Sequence, residues 1–271
     1  MSDVRPMVIG SAAVQPTARR LTGRRVLVVG GGQRTVKAST GPIDGGSTMS
    51  VLFAREGAQV AIADADEQAA KDTVTQIAGE GGLAFAIRAD LAFEADVHWM
   101  IRKACEVMDG NLDGMVLNLA GIVKIERDQF DAAEWTRIYD LNVRGSMLCC
   151  REALPKIQDG GSIVFISPIV SRRGGSKNAA YDSSTAAIFG LMHNIAHEIA
   201  PRAIRANLVC PSAQSMPTSR RVRAFGHSNC KGHLGPSGRR VAAEVANAAL
   251  FFLSDESICV TAQMLAIGNL G

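Results

Sequence analysis

Short runs of aliphatic, often β-branched residues alternate with longer segments of helical periodicity along nearly the whole chain, and no other feature limits the fold so strongly. Strands are expected at Arg25–Val29, Gln59–Ala63, Leu83–Arg88, Gly114–Asn118, Ser162–Ile166, Ala206–Cys210 and Met264–Ile267. Helices are expected at Met49–Glu56, Glu67–Glu80, Ala95–Met108, Trp135–Ile157 (interrupted at Gly145), Ala179–Ile199 and Val241–Leu253. Strands joined through helices form βαβ units and a parallel sheet. The strand runs are continuously apolar, as strands covered on both faces must be. The expected architecture is therefore α/β, a doubly wound parallel sheet in three αβα layers. It forms one domain over residues 21–271, preceded by a flexible extension at 1–20.

Composition excludes several classes. Of 271 residues, 47% are hydrophobic and 20% charged, which is too apolar for a disordered chain. Two Trp and two Tyr are too few for a platform that stacks single-stranded nucleic acid. The net charge of +3 is too small to call for a polyanionic partner. No apolar run approaches the roughly 18 residues of a membrane span. The six cysteines form no C-x-x-C pair, and a chain of this length needs no disulfide framework, so a reducing, cytoplasmic compartment is expected.

Open sheets of this kind bind ligands at the carboxyl ends of their strands. Gly30, Gly31 and Gly32 follow the first strand at once, where a dinucleotide pyrophosphate would meet bare backbone and a helix N-terminus. The connection runs on through Gly45 and Gly46, roughly ten residues longer than a compact Gly-rich turn. Asp64 ends the second strand, where a carboxylate accepts from the adenosine ribose hydroxyls and repels a 2′-phosphate, favouring NAD over NADP. Asp90 ends the third strand, and Asn118-Leu-Ala-Gly121 the fourth.

At this point the chain resembles the short-chain dehydrogenase/reductase family over about Leu21–Ile267. The resemblance rests on Val29-Gly30 with Gly46, Phe53–Ala58, Asp64, Asp90, Asn118–Gly121, Leu141–Gly145, Gly161–Ser167, Tyr181, Asn207–Pro211 and Val260–Gln263, in order. It implies a Rossmann-type fold, a nicotinamide cofactor, hydride transfer between an alcohol and a ketone, and a homodimer or homotetramer. It assigns Gly30, Gly32, Gly46, Asp64, Asp90, Asn118, Ala120, Gly121 and Pro211 to the cofactor, and Tyr181, Asn142 and the neighbouring Ser167 to catalysis.

The sequence departs from the family pattern where the chemistry lies. The family places Lys four residues after its Tyr, so that both project from one helix face; here that residue is Thr185. Its Ser position holds Pro168. Asp44 stands where a turn glycine is usual, Ser212 follows Pro211, and Met216 replaces a Thr. Lys177, Ser171, Ser184, Arg172 and Arg173 could stand in for the lost groups, or could be ordinary loop or surface residues. Ser219–Arg240 occupies the family's substrate-loop position and carries Arg220, Arg221, Arg223, Lys231, Arg239 and Arg240 with no acidic residue. A basic lid favours an anionic small-molecule substrate, while a solvated loop accounts for the same charge. His227, Cys230 and His233 are too few ligands for structural zinc, so no metal site is expected. Two readings follow: an NAD(H)-linked oxidoreductase, or a catalytically degenerate relative that uses Tyr181 without redox chemistry or binds a ligand or partner.

Overall fold

The computed structural model describes residues 19–33, 45–118, 131–168, 179–211 and 238–267, the side chains of 238–240 excepted. In chain order the elements are β1 (Arg25–Val29), α1 (Gly45–Arg55), β2 (Gln59–Asp64), α2 (Glu67–Gly79), β3 (Leu83–Arg88), α3 (Glu94–Val107) and β4 (Leu112–Leu117). There follow α4 (Ala132–Tyr139), a π-helical turn (Asp140–Arg144), α5 (Gly145–Ala153), β5 (Ile157–Ile166), α6 (Ala179–Ile199), β6 (Arg205–Pro211), α7 (Gly238–Leu253) and β7 (Met264–Ile267).

All strand pairings are parallel, in the order β3-β2-β1-β4-β5-β6-β7. The order reverses between β1 and β4, where Val29 lies in register with Leu117. Successive side chains of a strand point to opposite faces, and the two cores follow that rule. Leu27, Val29, Met115, Leu117, Ile163 and Phe165 pack toward α3, α5 and α6. Val26, Val28, Val116 and Val164 pack toward α1, α2 and α7. This is the Rossmann-type three-layer αβα sandwich that the alternation demanded.

The expected helix over Trp135–Ile157 is instead several elements. The Gly145 amide reaches back to the Asp140 carbonyl, a π-type bond that widens the chain between α4 and α5. Gly145 itself is helical and breaks nothing. A Cβ there would lie 3.2 Å from the Leu91 Cβ, so its bareness lets the turn after β3 close on α5. A 3-10 turn at Leu154–Lys156 then carries Pro155, and β5 starts at Ile157 rather than Ser162. At the other edge, α1 begins at Gly45, four residues earlier than the hydrophobic pattern suggests.

One buried cation ties the far end of the fold together. Arg205 opens β6 and is 5% exposed. Its guanidinium donates to the carbonyls of Phe252 at 2.6 Å and Ser254 at 3.2 Å, and to the Ser257 hydroxyl at 2.6 Å. These carbonyls lie at the end of α7, where helical partners run out and the helix dipole is negative. Burial, helped by nearby Arg24, pushes the Arg205 pKa down, with Asp255 opposing. Arg205→Ala is expected to lose about 3 kcal/mol, the cost of orphaning buried carbonyls together with bonds to a charged donor. Urea unfolding would read it as a lower midpoint at unchanged slope.

Candidate active site

The strand-order reversal brings the carboxyl ends of β1 and β4 side by side, and three of the expected cofactor residues meet there. Gly30 leaves β1 with φ at 73°, in the region that favours glycine, and a Cβ on it would stand 2.4 Å from the Asn118 carbonyl oxygen. Gly46 lies in the first turn of α1, where a Cβ would be 2.0 Å from the Gly30 carbonyl oxygen. Asn118 closes the contact. Its backbone N–H donates to Val29 O at 3.0 Å, and its side-chain Nδ2 donates to Gly30 O at 2.9 Å. Beside them, a Cβ on Gly45 would meet nothing within 4 Å among the described residues, and the first turn of α1 carries no acidic side chain. Bare backbone at a helix N-terminus suits an anion, so the described residues fit the pyrophosphate of a dinucleotide.

Asp64 is 6% exposed, and both its oxygens take backbone bonds: Oδ2 from Gly32 N at 3.1 Å, Oδ1 from Asp66 N at 3.0 Å. The carboxylate is thus also a brace that holds the Gly-rich turn against β2. The Thr73 hydroxyl, which donates to Gly31 O at 3.2 Å, adds a second tie to α2. The Asp90 side chain accepts from Ala92 N at 3.0 Å and shapes the turn after β3. Pro211 ends β6, buried and in register with Ile267. Ala120 and Gly121 lie outside the described residues. So do Asp44, Ser171, Arg172, Arg173, Lys177, Ser212, Met216, the substrate loop through 237 with His227, Cys230 and His233, and the extension through residue 18.

At the catalytic end, Tyr181 and Thr185 share one face of α6. Tyr181 is partly buried against Ile138 and Ala180. Burial, reinforced by the Asp182 carboxylate, pushes its phenol well above the ordinary tyrosine range. Thr185, where an ammonium would act in the opposite direction, is buried and spends its hydroxyl on the Asp182 carbonyl at 2.9 Å. Ser167 sits at the end of β5, 3% exposed, and its hydroxyl donates to the Thr185 carbonyl at 3.3 Å. Asn142 lies in the π-turn, also 3% exposed. Its Nδ2 donates to Ser184 Oγ at 3.0 Å, and its Oδ1 has no partner among the described residues. Asn142, Ser146, Ser167 and Thr185 line a cavity of about 10 Å³, roughly the room one water needs.

Two polar residues have roles that spacing alone did not assign. The Ser146 hydroxyl donates to the Asn142 carbonyl at 2.6 Å. Ser184, considered above as a spare substrate hydroxyl, is buried and donates to the Tyr181 carbonyl at 2.9 Å. Both bonds follow helical offsets of four and three, which a sequence can show. The link between Asn142 and Ser184 spans 42 residues, which it cannot.

Sheet order and the crevice at the strand-order reversal place the chain in the doubly wound, Rossmann-type class. A family model described as enoyl-(acyl carrier protein) reductase matches residues 46–269. The chain is 33% identical to the short-chain dehydrogenase/reductase ABA4 of Pyricularia oryzae over 178 residues, 64% of this chain and 65%, just under two thirds, of that protein. It is 31% identical to the 3-oxoacyl-[acyl-carrier-protein] reductase of Rattus norvegicus, across 90% of this chain and 96% of that one. A short-chain dehydrogenase from Burkholderia cenocepacia, solved in complex with NADP, superposes with a TM-score of 0.75 at 25% identity, covering 92% of this chain and 98% of the other. The chain belongs to the short-chain dehydrogenase/reductase family, whose members use NAD or NADP.

The raised phenol has a kinetic signature. Oxidation of an alcohol needs a base, and a phenol is a base only once ionised. Were Tyr181 the base of such an oxidation, its rate would climb with pH through about 10, the ordinary tyrosine value, without levelling off. Tyr181→Phe should flatten the climb. A plateau near neutral pH in the parent would show that another group ionises.

Proposed function

We propose that this chain interconverts an alcohol and a ketone with NAD(H), using Tyr181 as the acid/base. The observation that carries the proposal is the Gly30–Gly46–Asn118 contact, which brings bare backbone at the exit of β1 against the first turn of α1. When bound, NADH supplies the hydride. Tyr181 then donates its phenolic proton to the carbonyl oxygen as the alcohol forms, and takes it back in the reverse direction. Gly30, Gly32, Gly46, Asp90, Ala120, Gly121 and Pro211 line the cofactor, and Asp64 accepts from the adenosine ribose. That acceptor role favours NAD, whereas the Burkholderia relative holds NADP. Asn142 and Ser167 order the polar wall behind Tyr181. The basic 219–240 segment draws an anionic substrate, a reading the acyl-carrier-protein substrate of the rat relative makes concrete.

A second reading has its own support, the pairing of Thr185 and Pro168 at the ammonium and hydroxyl positions. Thr185 and Ser167 bond to backbone carbonyls, and the phenol is raised rather than lowered. On this reading the chain is a degenerate relative that binds a ligand or a partner, or runs non-redox chemistry from Tyr181.

Residues 21–271 act as one unit in either reading, with 1–20 an extension. A homodimer or homotetramer is supported by Trp99, Met147 and Phe189, each more than a third exposed on α3, α5 and α6. Cys105, Cys149, Cys150 and Cys259 carry free thiols, which suits a reducing cytoplasm. Among the described residues no helix is long and apolar enough to cross a membrane.

Fluorescence titration with NADH, followed by ketone turnover, separates the readings. The redox proposal expects NADH saturation below millimolar and measurable turnover; an absence of binding at millimolar NADH overturns it. The joint variant Pro168→Ser/Thr185→Lys should turn over about 10²-fold faster or more, the usual worth of a positioned acid/base element. A parent already as fast as that variant would end the degenerate reading.

A further inference from the structure

We infer that Ser184 is a positioning residue that orients both Asn142 and the helical turn carrying Tyr181, an assignment that rests on the proposed acid/base role of Tyr181. Ser183, Ser184 and Thr185 all turn their hydroxyls back onto the preceding turn of α6. Ser183 donates to Ala179 O at 2.6 Å, Ser184 to Tyr181 O at 2.9 Å, and Thr185 to Asp182 O at 2.9 Å. Such back-bonds are common where Ser and Thr sit inside a helix. Among the described residues, Ser184 is the one of the three whose side-chain oxygen also takes a bond from another segment, the Nδ2 of Asn142 at 3.0 Å.

Proton accounting makes that bond directional. A serine hydroxyl has one proton to give, and Ser184 gives it to the Tyr181 carbonyl. Toward Asn142 it can only accept. Asn142 must therefore present its amino group to Ser184, and its Oδ1 turns the other way, buried and without a partner among the described residues. Amide orientation is decided by the network around it, and here Ser184 decides it. The acceptor end of Asn142 is thereby offered to the small cavity it lines with Ser146, Ser167 and Thr185. The same hydroxyl ties the π-turn to the first turns of α6, so the position of Tyr181 relative to Asn142 is held from within the core.

The chain's two tyrosines allow a direct test. Protein labelled with ¹³C at the tyrosine Cζ gives two lines, assigned by Tyr139→Phe. The positioning role expects Ser184→Ala to displace the Tyr181 line while the Tyr139 line stays in place, and Ser184→Thr, which keeps the hydroxyl, to restore it. In the same variants kcat for ketone reduction should fall about tenfold in Ser184→Ala with KM unchanged, the worth of one buried hydrogen bond, and recover in Ser184→Thr. A Tyr181 line that stays put in Ser184→Ala overturns the inference. If Ser184→Ala does not fold, both lines collapse, and Ser184→Cys, which keeps the volume with a weak donor, is read by the same criterion. Failure of the parent to bind NADH would sink the proposed redox function while leaving the Tyr181 line to decide the role of Ser184.

Discussion

The cofactor edge of this fold depends on how closely α1 can approach the exit of β1. The Gly30 carbonyl is met by the backbone of Gly46 and by the side-chain amide of Asn118, and no side chain fits at either glycine. Three segments distant in sequence are thereby pinned at the reversal of strand order. Because the sheet is wholly parallel, every strand ends on this same edge, so Asp64, Asp90, Asn118, Ser167 and Pro211 are gathered there by topology. The longer connection between β1 and α1 does not disturb the contact, because its cost in loop closure grows only slowly with length.

The polar groups around Tyr181 show how a buried site with Thr at position 185 meets its hydrogen-bonding needs. A lysine would bring charge and donors to the Tyr181 face. Thr185 brings one proton and spends it on its own helix. Ser167, Ser146 and Ser184 likewise bond to backbone carbonyls. Buried hydroxyls must find partners, and these do, while the Asn142 Oδ1 beside them has none among the described residues. The consequence is electrostatic. Burial and Asp182 both disfavour the phenolate and raise the proton affinity of Tyr181.

Much of the fold was legible in the chain because doubly covered strands must be continuously apolar. β1, β3, β7 and α6 fall on the expected residues, and the other strands differ at their ends or, for β5, by an earlier start. The long segment after Trp135 was not legible. No proline marks the π-turn between α4 and α5, and Gly145 looked like a break when it is a contact with Leu91. At the site, the residue types at the strand ends were readable, and so were the substitutions at Pro168 and Thr185.

The sequence by itself determined the class of sheet, the edge on which a ligand must bind, and which chemical groups are present or missing there. Apolar periodicity and residue identity are local properties, and those conclusions need nothing more. Only the tertiary structure decided what the remaining groups do. Asp64 braces the Gly-rich turn, Ser167 is spent on Thr185, and Ser184 sets the direction in which Asn142 points. Each is a hydrogen bond between residues 18 to 42 positions apart. Which donor meets which acceptor over that separation is settled by packing the layers, and no spacing in the chain encodes it.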